Sequence, residues 1–492
     1  MKIVIFVSNI TMKRLLLIVL VNCLMVSAYS QRIVSKTLLK TLTKVEVDSI
    51  LQANSIPNIF NTTYNIEVYK VIYNTVSYDS TPTTASGMMV VPVSTICKRF
   101  PMGAYFHGTI SKKSDAPSSL NGLEPVVGMV IASIGYIVAE PDYLGLGDGP
   151  GLHPYQHAQT EASASIDMLR SVRDYCDTVG IRRNGQLFLM GYSQGGHACM
   201  ATHRAIQTQL NGEFNVTASV PMSGAYDMSG VMVQTMLSNN PYAQPAYLPY
   251  LILSWNPIYH LYDSIQQALV YPYDSILPPL FDGMHSLNPV NAAMPSVPKN
   301  IFTSSELDTF VNNMSCKLRL ALKDNDVYGW KPACPTRLYF CKADTYVPYM
   351  NSVVAIDSMR VHGVTTADTA DINPTLGHTD CAQFAILAAK SFFDRYVTVD
   401  TCATSTGIID ITNDILLQCY PNPTTDKLTI ALRMNSYNAT GTLHDMAGSK
   451  VSEIRLHNGI NTVSMNSMSS GVYMLKITAE NGNSRLIKII LE

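Results

Sequence analysis

The stretch "FLMGYSQGGHACM", Phe188 to Met200, decides how the chain folds. Gly191, Gly195 and Gly196 crowd around one serine, Ser193, directly after an apolar run. Glycine loses the most backbone entropy on folding, so a strand or helix interior disfavours such a cluster. It makes sense where a buried strand turns sharply into a helix and the two backbones meet. Gln186 to Met190 reads as that strand, and Gly196 to Leu210 as the helix. Ser193 then sits at the apex in a strained conformation. Its neighbours two before and two after must lack bulk. Gly-Tyr-Ser-Gln-Gly in this setting is a nucleophile elbow. The bare pentapeptide is also what a glycine-rich turn without chemistry would show; the strand before and helix after give it weight.

The flanking pattern agrees. Ile66 to Ser77, Gly87 to Val93, Gly103 to Phe106, Tyr136 to Ala139, Val216 to Met222 and Arg337 to Cys341 read as strands. Val126 to Ile134 and Glu161 to Cys176 read as helices. Strands alternating with helices predict a mainly parallel sheet. Before them, residues 31–62 are expected to hold one amphipathic helix, Lys44 to Ala53, and a loop. Residues 228–335 are rich in Pro, Tyr, Leu and Met, with helix-like stretches and no clear strands, and read as an insertion above the sheet. Within it "YLPYLILSW", Tyr247 to Trp255, would line an apolar pocket or form the insertion's own core. A Thr/Ser/Asp-rich stretch, 397–414, reads as a linker. Beyond it, alternating strands and turns to residue 492 predict a small β-sandwich.

A serine hydroxyl needs an adjacent base. Behind such an elbow the partners follow in the order serine, acid, histidine. "TRLYFCKADTYVP" supplies Asp344 just past a late strand, and "LGHTDCAQF" supplies His378 ahead of an apolar helix. Asp344 would orient the imidazole, and His378 would take the proton from Ser193. Asp371 is the rival acid, and Asp380 reads as a helix N-cap. The oxyanion donors are expected to be the amide of Gln194 and one from His107 or Gly108, with mere packing the alternative for His107. His153 and His157 stand four apart, as metal ligands can, but Pro154 lies between them and no third ligand is evident. His197 and His203 read as packing residues. No zinc, P-loop or dinucleotide motif appears, so no cofactor or metal is expected.

The ends and the composition bound the setting. Lys13 and Arg14 precede the apolar run Leu15 to Val21, and Ala28-Tyr29-Ser30 offers a cleavage site. Residues 1–30 thus read as a signal peptide, with Met12 a possible start and a membrane anchor the alternative. Val126 to Val138 is too short and too interrupted to span a bilayer. The 492 residues carry a net charge of −2 and only 14% charged residues against 47% hydrophobic. That excludes an electrostatic case for nucleic acid or anionic membrane. Nine of the ten cysteines follow Ser30, which in an exported chain permits disulfides but leaves an odd one. Cys316 and Cys334 flank the end of the insertion as a candidate pair; Cys199 reads as a buried small hydrophobe.

On "AYFHGT", "GYIVAEPDYLGLGDGPGLHPY", "GYSQGGHA", "CKADTYVP" and "LGHTDC", residues 85–396 resemble the α/β-hydrolase superfamily and, within it, the secretory lipase-like group. The resemblance implies an α/β-hydrolase domain over 31–396 with a helical cap at 228–335. It implies a secreted enzyme cutting carboxylic or lipid esters, with Ser193, Asp344 and His378 as triad. On "YPNPTTDKLTI", "DMAGSKV", "SGVYMLKI" and "IKIIL", residues 415–492 resemble the C-terminal sorting domain of type IX secretion. That implies export across both membranes by this machinery, then release or surface attachment. Three readings compete with a lipase or esterase. One is a peptidase on the same fold, with Glu140 and Asp142 holding a peptide amine. Another is a hydrolase of esters on plant polymers. The third is a non-catalytic surface binding protein.

Overall fold

The structure is a computed structural model that describes residues 32–54, 56, 62–94, 98–210, 212–398, 400–401, 415–434, 438–445, 449–480 and 484–492. The stretch 1–30, expected to be a signal peptide, and most of the 397–414 stretch lie outside the described residues. Two compact units divide between Cys402 and Ala403.

In chain order the first unit holds β1 (Ile33–Leu42), α1 (Lys44–Ala53), β2 (Asn65–Val76), β3 (Pro82–Val93) and β4 (Lys98–Phe106). Then come α2 (Glu124–Ser133), β5 (Ile137–Pro141), α3 (Ala158–Val179), β6 (Arg182–Tyr192), α4 (Gln194–Gln209) and β7 (Val216–Met222). Six helices follow without an intervening named strand: α5 (Val231–Leu237), α6 (Tyr247–Tyr259), α7 (Tyr273–Ile276), α8 (Leu287–Ala293), α9 (Ser304–Asn312) and α10 (Lys317–Asp324). The unit closes with β8 (Thr336–Phe340), α11 (Met350–Val361), β9 (Ala367–Asp371), α12 (His378–Phe393) and β10 (Asp400–Thr401).

Nine strands pair in the order β1-β2-β3-β5-β4-β6-β7-β8-β9, and β10 pairs with β4. From β5 to β9 every neighbour is parallel; β1, β2 and β3 form an antiparallel wing. Strand alternation sends side chains to opposite faces. Leu187 and Leu189 of β6 join one core layer with Leu169, Val172, Ala201 and Ile356 from α3, α4 and α11. Phe188 and Met190 join the other, with Leu51, Val130 and Phe393 from α1, α2 and α12. Each fully buried side chain of this size contributes about 1.5–3 kcal/mol.

Three strands differ from the sequence expectation. β1 lies where a helix and a loop alone were expected, β9 was not foreseen, and β10 falls in the stretch read as a linker. β1 and β9 are edge strands. Most of β1 is exposed, and "ADTAD" of β9 carries almost no apolar surface, so neither shows the alternation of a half-buried strand.

The second unit has an antiparallel sheet of β11 (Ile415–Tyr420), β12 (Lys427–Met434) and β15 (Gly459–Ser464). A second antiparallel sheet holds β14 (Lys450–His457), β13 (Asn438–His444), β16 (Gly471–Ala479) and β17 (Ser484–Leu491). Leu428 and Ile430 of β12 share one core with Leu475 and Ile477 of β16, as the period of two requires of a sandwich.

Inside the first unit, β5 carries an acid into the apolar layer. Glu140 is fully buried and neither carboxyl oxygen has a hydrogen-bond partner. α2 makes room for it with Gly128, where an added Cβ would lie 2.4 Å from Glu140 Oε2. Burial, then the charges of Glu124 and Asp142, push its pKa well above the usual range. A carboxyl raised in the folded state is neutral there, while the unfolded chain ionises it above about pH 4.3. Its contribution is therefore most favourable below that pH and is lost as pH rises toward the folded value. Glu140→Gln removes the titration. Thermal melts between pH 4 and pH 8 should show the variant's Tm rising relative to the unmodified protein as pH increases. A difference that stays flat across that range would refute the buried, protonated acid.

Candidate active site

The turn from β6 into α4 is built by contact. A Cβ on Gly195 would lie 1.8 Å from the Phe106 carbonyl oxygen, and one on Gly191 would lie 2.1 Å from the Gly195 carbonyl oxygen. Both positions therefore require glycine. Ser193, between them, has φ 61° and ψ −122°, a conformation that costs a non-glycine residue about 1–3 kcal/mol. Its amide donates to the Met222 carbonyl at 3.0 Å, tying the apex to β7.

The structure brings Ser193, His378 and Asp344 together. His378 Nε2 lies 2.8 Å from Ser193 Oγ, and His378 Nδ1 lies 2.6 Å from Asp344 Oδ2. The other carboxylate oxygen of Asp344 accepts from the amides of Tyr346 and Val347, both at 2.9 Å. The Tyr346 ring stacks on the imidazole at 5.1 Å, and the Tyr192 hydroxyl donates to the His378 carbonyl at 2.5 Å. All three side chains are buried. Asp371 does not join them; it faces Lys342 at 3.9 Å. Asp380 lies in the first turn of α12, whose N-cap is Gly377 and not Asp380, so it acts on the helix dipole alone.

Cysteine pairing differs from the expectation. Cys316 and Cys334 are free, and Cys341 bonds to Cys381 across 40 residues. Cys341 lies three residues before Asp344, and Cys381 three residues after His378. The bridge thus staples the acid's loop to the histidine's helix. That symmetric spacing was the available signal in the sequence. Cys199 is buried, as its position after the glycines suggested.

Gln194 is fully buried at the first position of α4. Gly108 N–H donates to Glu124 Oε1 at 3.1 Å, and Tyr105 donates to the other Glu124 oxygen at 2.6 Å. The buried His107 ring stands against Tyr143 at 4.3 Å, with Nδ1 2.7 Å from the Gly108 carbonyl oxygen. His153 and His157 have separate partners. His153 lies between the Leu144 carbonyl and the Gln194 side chain, and His157 Nδ1 is 3.0 Å from Thr160 Oγ1. Among the described residues no cluster fit to hold a metal ion occurs. His197 reaches Glu161, and His203 packs edge-on against Trp330.

Ser193 opens onto an apolar cavity. Its walls include Met228, Met232, Met236, Leu248, Leu251 and Val347. The stretch "YLPYLILSW" divides by helical face: Tyr247, Leu248 and Leu251 line the cavity, while Ile252 and Trp255 are wholly buried in the insertion's core. Glu140 and Asp142 are not in these walls. Asp142 is buried elsewhere, accepting from Ser86 Oγ at 2.5 Å and from Ser118 N and Oγ at 2.9 and 2.6 Å.

No curated protein matches the chain. Residues 111–231 match the family model described as secretory lipase, and residues 418–492 the secretion system C-terminal sorting domain. Among solved structures, a Legionella pneumophila protein described as a hydrolase is 26% identical with a TM-score of 0.69; the match covers 77% of this chain and 100% of that one. The rice cell wall degrading esterase LipA from Xanthomonas oryzae is 26% identical, with TM-score 0.66 over 74% of this chain and 99% of its own. Candida antarctica lipase A in its closed state shares the fold at 14% identity, TM-score 0.56, over 77% of this chain and 85% of its own. The first unit thus carries a match to the secretory lipase family over residues 111–231 on an α/β-hydrolase fold, and a secretion system C-terminal sorting domain follows it.

Proposed function

We propose that the protein is an exported serine esterase that cleaves carboxylic esters with apolar acyl groups through an acyl-enzyme. The observation that carries the reading is the hydrogen-bonded line Ser193–His378–Asp344, whose Ser193 end lines an apolar cavity. Asp344 holds the proton of His378 on Nδ1, so Nε2 presents a lone pair to the serine. Ser193 Oγ attacks the ester carbonyl as its proton passes to Nε2. The same proton then goes to the leaving alcohol. Water, deprotonated by Nε2, attacks the acyl-enzyme and releases the acid. The amide of Gln194, at the positive end of α4, stabilises the oxyanion. His107 is the second donor, because the Gly108 amide is held by Glu124. Residues 1–30 and 415–492 serve export through the type IX machinery to the surface or medium.

A peptidase would hold an amine near Ser193 with a carboxylate. Among the described residues that line the cavity none is acidic, which favours the ester. The methionines suit a flexible chain, since Met adapts to irregular apolar shapes.

The full chain should hydrolyse p-nitrophenyl esters, with kcat/KM rising from acetate to longer acyl groups. Ser193→Ala should lose roughly 10⁶-fold in kcat. Met236→Trp, which fills a cavity wall, should lower turnover of long esters by about tenfold and leave acetate within about threefold. Cleavage of peptide p-nitroanilides without ester turnover would move the assignment to a peptidase. Silence on both substrates from a folded protein would point to the binding protein.

The disulfide generates its own expectation. Closing 40 residues contributes about 4 kcal/mol of stability by loop entropy. Paired Cys341→Ser and Cys381→Ser substitutions should lower Tm. They should also lower kcat by up to about 10²-fold, because acid and imidazole are no longer tied. Unchanged kcat at a temperature where the variant is folded would show that the bridge serves stability alone.

A further inference from the structure

The side chain of Gln194 is clamped from two sides. Its amide nitrogen lies 2.7 Å from His153 Nε2 and 2.8 Å from Glu161 Oε1. Chemistry fixes the direction of both bonds. His153 Nδ1 lies 2.8 Å from the Leu144 carbonyl oxygen, which only accepts, so Nδ1 carries the ring proton and Nε2 offers a lone pair. Burial keeps that ring neutral, with its pKa down to about 4. Glu161 Oε1 accepts the second amide proton. Both N–H groups of Gln194 are thus engaged, while its own Oε1, also buried, has no hydrogen-bond partner. An orphaned acceptor is costly, so the site is arranged to hold the NH₂ end at some expense in stability.

The clamp is anchored in turn. Glu161 Oε2 lies 2.6 Å from Nδ1 of His197, one turn further along α4, so a single carboxylate from α3 pins the first turn of that helix at two points. His197 Nε2 donates to the Asn325 carbonyl at 2.9 Å. Asn325 caps α10, accepts from the Ala158 amide at 2.8 Å and donates to the Tyr259 hydroxyl at 2.8 Å. Gln194 and His197 have no measurable exposure, Glu161 only 1% and His153 only 2%.

We propose that His153 and Glu161 are positioning residues: by gripping the side chain of Gln194 they fix its backbone N–H beside Ser193, where the oxyanion forms. This rests on the esterase reading. The Gln194 N–H, among the first amides of α4, has no intrahelical acceptor; the carbonyl of its peptide unit accepts from the Gly196 and His197 amides at 2.9 and 3.3 Å, and the side-chain grip adds to that hold on its aim. A donor to a developing oxyanion must be in place beforehand, and losing one costs about 10²–10³ in kcat.

The test uses the full chain and a p-nitrophenyl ester, with an alkyl boronic acid as the probe of the tetrahedral oxyanion. His153→Phe and Gln194→Met should each lower kcat roughly 10- to 100-fold, with KM within about threefold, and weaken boronic acid binding by a similar factor. The double variant should lose no more than the worse single one, because both act through the same amide. Glu161→Gln still offers an oxygen to Gln194 and an N–H to His197, so it should stay within about threefold of the unmodified protein, whereas Glu161→Met should fall with the others. Losses that add in the double variant, or that appear in KM alone, would overturn the proposal. So would full activity in a folded His153→Phe. If Gln194→Met does not fold, the pair His153→Phe and Glu161→Gln decides, and the proposal stands only if the first loses kcat and the second keeps it. Ester turnover that survives Ser193→Ala would instead remove the esterase reading beneath it.

Discussion

The contact between Gly195 and the end of β4 is the constraint on which the rest of the structure depends. With the Phe106 carbonyl 1.8 Å from where a Cβ would stand, β6 can turn into α4 in one residue only if position 195 has no side chain. Gly191 meets the same limit against Gly195, and Ser193 absorbs the geometry with a left-handed φ. Strain of about 1–3 kcal/mol persists because its surroundings over-determine it. β6 is locked between β4 and β7, its residues alternate into two core layers, and the serine amide is bonded to β7. One close approach therefore sets the position of the hydroxyl, the start of α4 and the turn after β4 together.

From that fixed point the labour divides. The proposed reacting groups stand at the carboxyl ends of parallel strands: Ser193 after β6, Asp344 after β8, His378 after β9. Most walls of the cavity beside Ser193 come from the insertion, which has its own core around Ile252, Trp255 and Phe310. α6 belongs to both, since one face of the helix meets that core and the other meets the cavity. Chemistry can thus stay constant on the sheet while the insertion sets what fits.

The central strands and helices were legible because they are buried and periodic. α1 and β7 have the limits that were read from the sequence. The edge strands were not: β9 reads "ADTAD", and the pairing that makes it a strand is between backbones. Ser193, His378 and Asp344 were candidates from local context alone, an elbow, a loop before a helix and a turn after a strand. The Cys341–Cys381 bridge was missed because pairing depends on where two elements meet in space. Cys316 and Cys334 looked better only because they bracket a segment. The grip of His153 and Glu161 on Gln194 was invisible for the same reason, as 41 and 33 residues separate the partners. His153 attracted notice only as half of a metal pair.

Buried carboxylates show how the fold assigns their work. Glu140 meets no donor and is pushed toward its neutral form by burial, so it contributes no local charge around Ser193. Asp142 is held by serines that keep it in the scaffold. Asp344 and Glu161 are different, because each lies 2.6 Å from an imidazole nitrogen. They approach the same peptide unit from different elements. Asp344 reaches Ser193 through His378, and Glu161 reaches Gln194 directly. The proposed acyl transfer makes two demands at once: a proton must leave the serine, and a negative charge must be received a few ångströms away. Placing the two responsible residues side by side in the chain makes each depend on the same turn. Each also rests on its own buried acid, Asp344 behind His378 and Glu161 on the Gln194 side chain.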